Sequence, residues 1–285
     1  MIDKALLNIV NKVHNLPTLP QVVESVMSMV EDPNASAVQL AEVISKDQAL
    51  MAKVLRVVNS AYTGMPKEIT TLKQATVILG FNTIKNLVLS ASIFDTFGKG
   101  DVNNRFDRVK FWEHSIGTAV GAKVLAKRIG SENPEEMFIA GLVHDIGKII
   151  IDEYLHNEFL KILDLVDARQ IRILEAENEI LGVGHPQLGE WVARKWNLPL
   201  NLVECIAFHH SPQLAVNSKE RVAIVHIANA ISRIEGIGFG GDNQTPIIDP
   251  DGWATLQIPA EDLGELIVTI KKEFEVSSIF MSLTS

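Results

Sequence analysis

Histidine and aspartate gather in four short stretches of the 285-residue chain: His114 in FWEHS, His144 and Asp145 in GLVHDIGK, His185 in GHPQLGEW, and His209 with His210 in AFHHSP. Imidazole together with carboxylate suits Fe, Mn, Zn, Co or Ni, whereas a Ca²⁺ cage wants oxygen throughout. An adjacent His-Asp pair at a helix end can serve one divalent metal ion, or two if the carboxylate bridges. Two ions held about 3.5–4 Å apart activate water and polarise a phosphoryl group. Lys148, four residues after His144, would stand near a bound phosphate as a point charge. Plainer readings stand beside this one. A helix C-terminus favours histidine through its dipole, which by itself would account for His209 and His210. His14, ahead of the first core helix, and His156, amid polar residues at a helix start, take that ordinary reading. His226, in AIVHIANAIS, lies on an apolar helix and reads as a core histidine with satisfied hydrogen bonds.

The elements that must position these residues are helices. Val22, Val23, Val26, Met27 and Val30 recur at helical spacing after Pro20, and Asp32-Pro33-Asn34 ends the run. Ser36 with Gln39, and Thr71 with Gln74, form capping-box patterns. Asp47 caps a helix through Leu50, Val54, Leu55 and Val58. Gly80 suits the residue after a helix end, and Asn82 is placed to cap the next helix. A long helix is predicted from Arg108 to Ile129, closed by Gly130, and Asn133-Pro134 opens another that ends near His144. Further helices are predicted at about 153–181, 186–196, 199–210 and 219–235. Ile149-Ile150-Ile151 is too short to build a sheet. Residues 236–259, rich in Gly, Pro and Asp, read as a long loop, and a helix at about 260–274 follows. The fold class is all-α. The polar stretch Phe97–Asn104 separates an N-terminal lobe, 1–98, from a second lobe, 105–235, followed by a loop and C-terminal helix over 236–285.

Composition narrows the function. With 26 basic and 35 acidic residues the formal charge is −9, which argues against non-specific nucleic-acid binding and against a polybasic membrane anchor. The single cysteine, Cys205, excludes a disulfide framework and a cysteine-rich zinc site. No stretch reaches the roughly 18 apolar residues of a membrane span, and MIDKALLNIV does not read as a signal peptide. A soluble cytoplasmic protein is expected, with neither nucleic acid nor membrane as partner. At 47% hydrophobic and 21% charged residues the chain can bury a core unaided, so any metal it binds is functional rather than a folding staple.

The order His…His-Asp…His…His-His, with HDIGK at the second position, resembles the HD phosphohydrolase superfamily. His185, His209 and His210 resemble the expanded ligand set of its HD-GYP branch, which hydrolyses cyclic di-GMP. The GYP motif is missing, because His209-His210 is followed by SPQLAVNSKE. The N-terminal half resembles a different branch, the HDOD family of HD-related output domains in bacterial signalling. The pieces that carry this are LPTLP at 16–20, Asp47–Leu50, Val57–Tyr62 containing Asn59-Ser60, and Ala75–Gly80. The likeness runs over about residues 14–235 and implies an all-helical, HD-domain-like bundle with an N-terminal helical lobe. Asn59, Ser60 and Tyr62 are read as structural, with a partner- or ligand-binding surface as the alternative.

The HD pattern ends on an aspartate, expected in a helix like VHIADAIS. Here the text is VHIANAIS, and Asn229 holds the position. A neutral amide is a weaker ligand through its carbonyl oxygen. The resemblance implies His114, His144 and Asp145, with Asn229, around a first metal, and His185, His209 and His210, with Asp145 bridging, around a second. It implies a bacterial signal-transduction module with a metal-binding HD site, working through a signalling protein partner or a nucleotide or phosphate-ester ligand. The alternatives are a metal-dependent phosphohydrolase using Asp145 and Lys148, and a scaffold whose histidines only make hydrogen bonds. Asp249 and Asp251 are read as turn residues, with replacement of the lost ligand as the less favoured role. Without a sensor segment ahead of residue 14, the input is expected from another protein.

Overall fold

Among the described residues every regular element is helical. The computed structural model describes residues 4–10, 13, 16, 22, 25–26, 29, 36–59, 69–97 and 105–277. His14, Ser60, Tyr62 and most of the helix expected over Val22–Val30 lie outside the described residues. Within them the helices are, in order, α1 (Lys4–Val10), α2 (Ala37–Ile44), α3 (Gln48–Val58), α4 (Leu72–Leu79), α5 (Phe81–Phe97), α6 (Arg108–Arg128), α7 (Pro134–Val143) and α8 (Ile146–Tyr154). There follow α9 (His156–Arg169), α10 (Ile173–Leu181), α11 (His185–Lys195), α12 (Leu200–Phe208), α13 (Lys219–Ile234), α14 (Pro250–Leu256) and α15 (Leu263–Ser277). Among the described residues there is no strand, and no helix is long and apolar enough to cross a membrane. The chain divides into two compact units, Met1–Pro17 with Asp101–Ile270, and Thr18–Gly100 with Lys271–Ser285.

In the unit formed around residues 18–100, local chemistry sets the helix ends. Ser36 and Gln39 close both bonds of a capping box on α2, whereas Thr71 caps α4 through the Gln74 N–H alone. Asp47 accepts from Leu50 N–H at the start of α3. Asn59 ends α3, and its side-chain amide makes two bonds with the Ile69 backbone, donating to its carbonyl at 2.7 Å and accepting from its N–H at 2.6 Å. That clamp is a structural role. Gly80 has φ of 86°, a conformation suited to glycine, which turns the chain directly into α5. Asn82 therefore lies inside α5 rather than capping it.

The other unit is built on α6, which is buried on nearly every face from Phe111 to Ala126 and packs against α7 and α13. A helix apolar all round belongs in a core. Close approach of α7 depends on Gly141, because a Cβ there would lie 2.6 Å from the Ala119 Cα. Arg108, buried at the base of α6, donates to Asp152 and Glu153, both at 2.7 Å. The single helix expected over 153–181 is broken into α9 and α10, with its first two residues belonging to α8. Leu155 leaves helical geometry at φ −131°, and Gln170 adopts a left-handed conformation that ends α9. Ile149–Ile151 belong to α8. His156 opens α9 half-exposed, 3.1 Å from Asp152. The predicted loop at 236–259 contains α14, which Asp249 caps by accepting from Gly252 N–H.

Glu204 on α12 ties down the turn into α13. Its buried carboxylate accepts from Asn217 N–H, from the Asn217 side-chain amide at 2.7 Å and from Ser218 N–H at 2.7 Å. Burial alone would raise its pKa, but the bonds from Asn217 and Ser218 hold it below the usual carboxylate range. A depressed folded-state pKa gives stability that is present above the unfolded value and lost as pH falls through the folded one. Glu204→Gln is expected to destabilise by about 1–3 kcal/mol at pH 7. Urea unfolding should show that difference closing at acidic pH, and a gap that persists there would assign the loss to packing.

Candidate metal centre

The His-Asp doublet occupies the break between two helices. His144 caps the end of α7, and Asp145, at φ −100° and ψ 12°, precedes α8. The turn lets both side chains face the same interior point. His114 comes from the middle of α6, His185 from the first residue of α11, and His209 and His210 from the turn after α12. Two glycines bring these elements together. Gly141 seats α7 on α6, the helix of His114. Gly147 seats α8 on α11, since a Cβ there would lie 2.0 Å from the His185 carbonyl oxygen.

Asp145 lies between two groups of imidazoles. Its Oδ2 is 3.3 Å from His144 Nε2 and 3.7 Å from His114 Nε2. Its Oδ1 is 3.2 Å from His185 Nε2 and 3.3 Å from His209 Nε2. His210 Nε2 is 3.1 Å from His185 Nε2. The structure thus assembles two sets that share one carboxylate: His114, His144 and Asp145; and Asp145, His185, His209 and His210. All are buried except His210, which is partly open.

The outer ring nitrogens fix which tautomers are present. His144 Nδ1–H donates to the Gly141 carbonyl at 2.7 Å, His209 Nδ1–H to the Ile206 carbonyl at 2.9 Å, and His185 Nδ1–H to Glu177 at 2.7 Å. Each neutral ring then turns an Nε2 lone pair inward. His185 Nε2 and His209 Nε2 are 3.4 Å apart, so when His185 is neutral two inward lone pairs face each other and the Asp145 carboxylate. Such a set suits a cation at its middle. His114 Nε2, His144 Nε2, Asp145 Oδ1 and Asn229 Oδ1 are buried without a hydrogen-bond partner. The residues present therefore fit a divalent metal, whose ligands are neutral imidazole and ionised carboxylate.

Electrostatics point the same way. Burial pushes the His209 ring down to about 3, and pushes His114 and His210 well below the ordinary imidazole value, keeping them neutral. Burial would raise Asp145, but His144, Lys148 and His185 outweigh it and hold the carboxyl well below its usual range. Burial would lower His185, but Glu177 and Asp145 hold it above the usual value. Lys148 does not face an open surface. It is buried, with Nζ 2.6 Å from Asp145 Oδ2 and 2.8 Å from the Gly240 carbonyl. Segment 236–249 covers this side of the centre, because Phe239 N–H donates to Lys110 O on α6 and a Cβ on Gly240 would lie 3.5 Å from the His114 ring.

Asn229, buried on α13, lines a cavity together with His210. His226 is satisfied, donating from Nδ1 to the His209 carbonyl at 2.8 Å and accepting from Asp249 N–H at 2.9 Å, which props the His209 turn. Asp249 spends its carboxylate on the α14 cap, and Asp251 is exposed in that helix's first turn. The residue that sequence reasoning missed is Glu177, whose Oε2 accepts from both the backbone N–H and the ring of His185. In LEAENEI it reads as one more charge on an acidic helix face, and nothing in that text marks it as buried.

The chain belongs to the HDOD family, whose HDOD domain model matches residues 16–212. An uncharacterized protein of Treponema pallidum (strain Nichols) is 27% identical over 234 residues, covering 81% of this chain and 44% of that protein. The chain spans less than half the length of the curated relatives it matches. A crystal structure of an HDOD domain protein with unknown function from Geobacter sulfurreducens matches with a TM-score of 0.83 at 24% identity, over 98% of this chain and 96% of that one. The "putative phosphohydrolase" of Shewanella amazonensis SB2B matches with a TM-score of 0.77 at 26% identity, over 100% and 99%.

A metal needs His185 neutral, while Glu177 and Asp145 favour its proton. Metal affinity is therefore expected to fall on acidification, beginning above the ordinary imidazole value of about 6.5. Glu177→Gln should move that fall to lower pH and weaken binding about 10–100-fold at neutral pH. Calorimetric Mn²⁺ and Zn²⁺ titrations across this range check both, and an unchanged pH profile in the variant would remove Glu177 from the centre.

Proposed function

We propose that this chain is a bacterial HDOD signalling module whose second lobe carries one or two divalent metal ions, and that it relays a signal by binding a partner protein or a phosphate-bearing ligand. The observation that carries this reading is the set of inward Nε2 lone pairs gathered around Asp145, with their tautomers fixed from behind. His114, His144 and Asp145 would hold one ion, with Asn229 as a neutral supplement. His185, His209 and His210, again with Asp145, would hold the other. Fe, Mn, Zn and Ni all suit this donor set. A bound metal supplies Lewis acidity toward a phosphoryl group. Asp145 stays ionised, and Lys148 neutralises and orients it. The segment around Gly240 lies against the His114 ring.

Phosphohydrolase activity is the second reading. It is favoured by a cavity that opens beside His210 and by likeness to a protein that carries the phosphohydrolase name. Asparagine in the position of the expected carboxylate leaves the first metal with less anionic charge, which weighs toward binding over turnover.

Protein purified without chelator is expected to carry metal, and Asp145→Ala to lose it from both sets. Absence of metal in the wild type, even after reconstitution with Fe, Mn, Zn or Ni, would end this reading. Hydrolysis of bis-p-nitrophenyl phosphate that Asp145→Ala abolishes would establish the enzyme, while equal turnover in both would mark a contaminant. Asn229→Asp, which adds a carboxylate, is expected to tighten metal binding, and unchanged affinity would place Asn229 away from the ions.

A further inference from the structure

We infer that the cavity bordered by Arg172, His210 and Asn229 is an anion subsite, built to take a phosphate group, with Arg172 as its binding residue. The cavity has a volume of 140 Å³. That is below the roughly 300 Å³ at which sites for whole small molecules begin, and suits one charged group better than a complete nucleotide. One wall is the metal centre itself, because His210 lines the cavity while its Nε2 lies 3.1 Å from His185 Nε2.

The charges in the lining are unbalanced. Arg233 is spent on Asp242 and on the Gln244 carbonyl. Asp242 is nearly buried and is spent on Arg233, on Ile173 N–H at 3.0 Å and on Gln244 N–H at 2.9 Å. Among the described residues the Arg172 guanidinium has no carboxylate or carbonyl partner, so it adds a positive charge that nothing in the lining offsets. A guanidinium grips phosphate through paired N–H donors. Asn229 contributes an uncharged amide to the wall. A carboxylate there would repel an anion, and the neutral amide does not. A larger cavity of 310 Å³ lies beside His114, but its arginine is the compensated Arg233, so the same argument does not apply to it.

The inference deepens the reading of a phosphate-bearing ligand, and only the ligand's orientation toward the ions rests on the metal assignment. Removing Arg172 should leave the fold intact, since its backbone carbonyl, not its side chain, accepts the first bonds of α10 from Glu175 and Ala176. The test is calorimetric titration of inorganic phosphate into the full chain, Mn²⁺-loaded and chelator-treated, with metal content measured in parallel. Arg172→Ala is expected to raise the phosphate Kd about 10–100-fold at unchanged metal content, with Arg172→Lys in between. Equal phosphate affinity in wild type and Arg172→Ala would overturn the subsite, as would a metal-loaded wild type that binds no phosphate. Loss of metal from Arg172→Ala would also overturn it, because Arg172 would then act through the centre. Arg172-dependent phosphate binding by a protein that takes up no metal would uphold the subsite while the metal reading fell.

Discussion

Five imidazoles and a carboxylate, all buried except His210, converge on one space, and the neighbouring structure is arranged around that constraint. When His185 is neutral its Nε2 lone pair stands 3.4 Å from that of His209, and the two repel unless a cation sits between them. The protein itself supplies only the Lys148 ammonium, against one face of Asp145. The groups behind His144, His185 and His209 keep those rings aimed at this point. Carbonyls of Gly141 and Ile206 and the carboxylate of Glu177 take the outer ring protons, and Gly141 and Gly147 let four helices, α7 on α6 and α8 on α11, come close enough for the rings to meet.

Asp145 is the hinge of the site because each of its oxygens faces a different group of rings. The split between Oδ2, toward His114 and His144, and Oδ1, toward His185 and His209, follows from its place in a turn. Within a continuous helix the doublet would diverge by about 100° and could not face one point so readily. Lys148, one helical turn into α8, reaches back to the same carboxylate and forward to the Gly240 carbonyl, joining the covering segment to the centre. Asn229 belongs to this economy of charge. An amide would hold a metal more weakly than a carboxylate, and it adds no charge to the cavity wall.

Much of this was legible in the amino-acid text. The helical period, the Ser36 and Asp47 caps and the Asn133-Pro134 start follow from local backbone chemistry, which operates over a few residues and is written in them. The six ligand candidates were visible as residue types in a family-like order. Less legible were the breaks at Leu155 and Gln170, where an apolar pattern continues through a change of backbone direction, and the helix at Pro250–Leu256 inside a stretch rich in loop-forming residues.

The sequence by itself determined that the chain would be helical and that imidazoles and one acidic group were available for metal chemistry. Only the tertiary structure decided that they share a single carboxylate, which tautomers they adopt, that Glu177 stands behind His185, that Lys148 turns to Asp145, and that Arg172 faces the cavity beside His210. The physical reason is distance along the chain. His114 and His210 are joined by no local rule, and their meeting depends on how closely glycine-lined helices pack, a property of surfaces in contact rather than of any one segment.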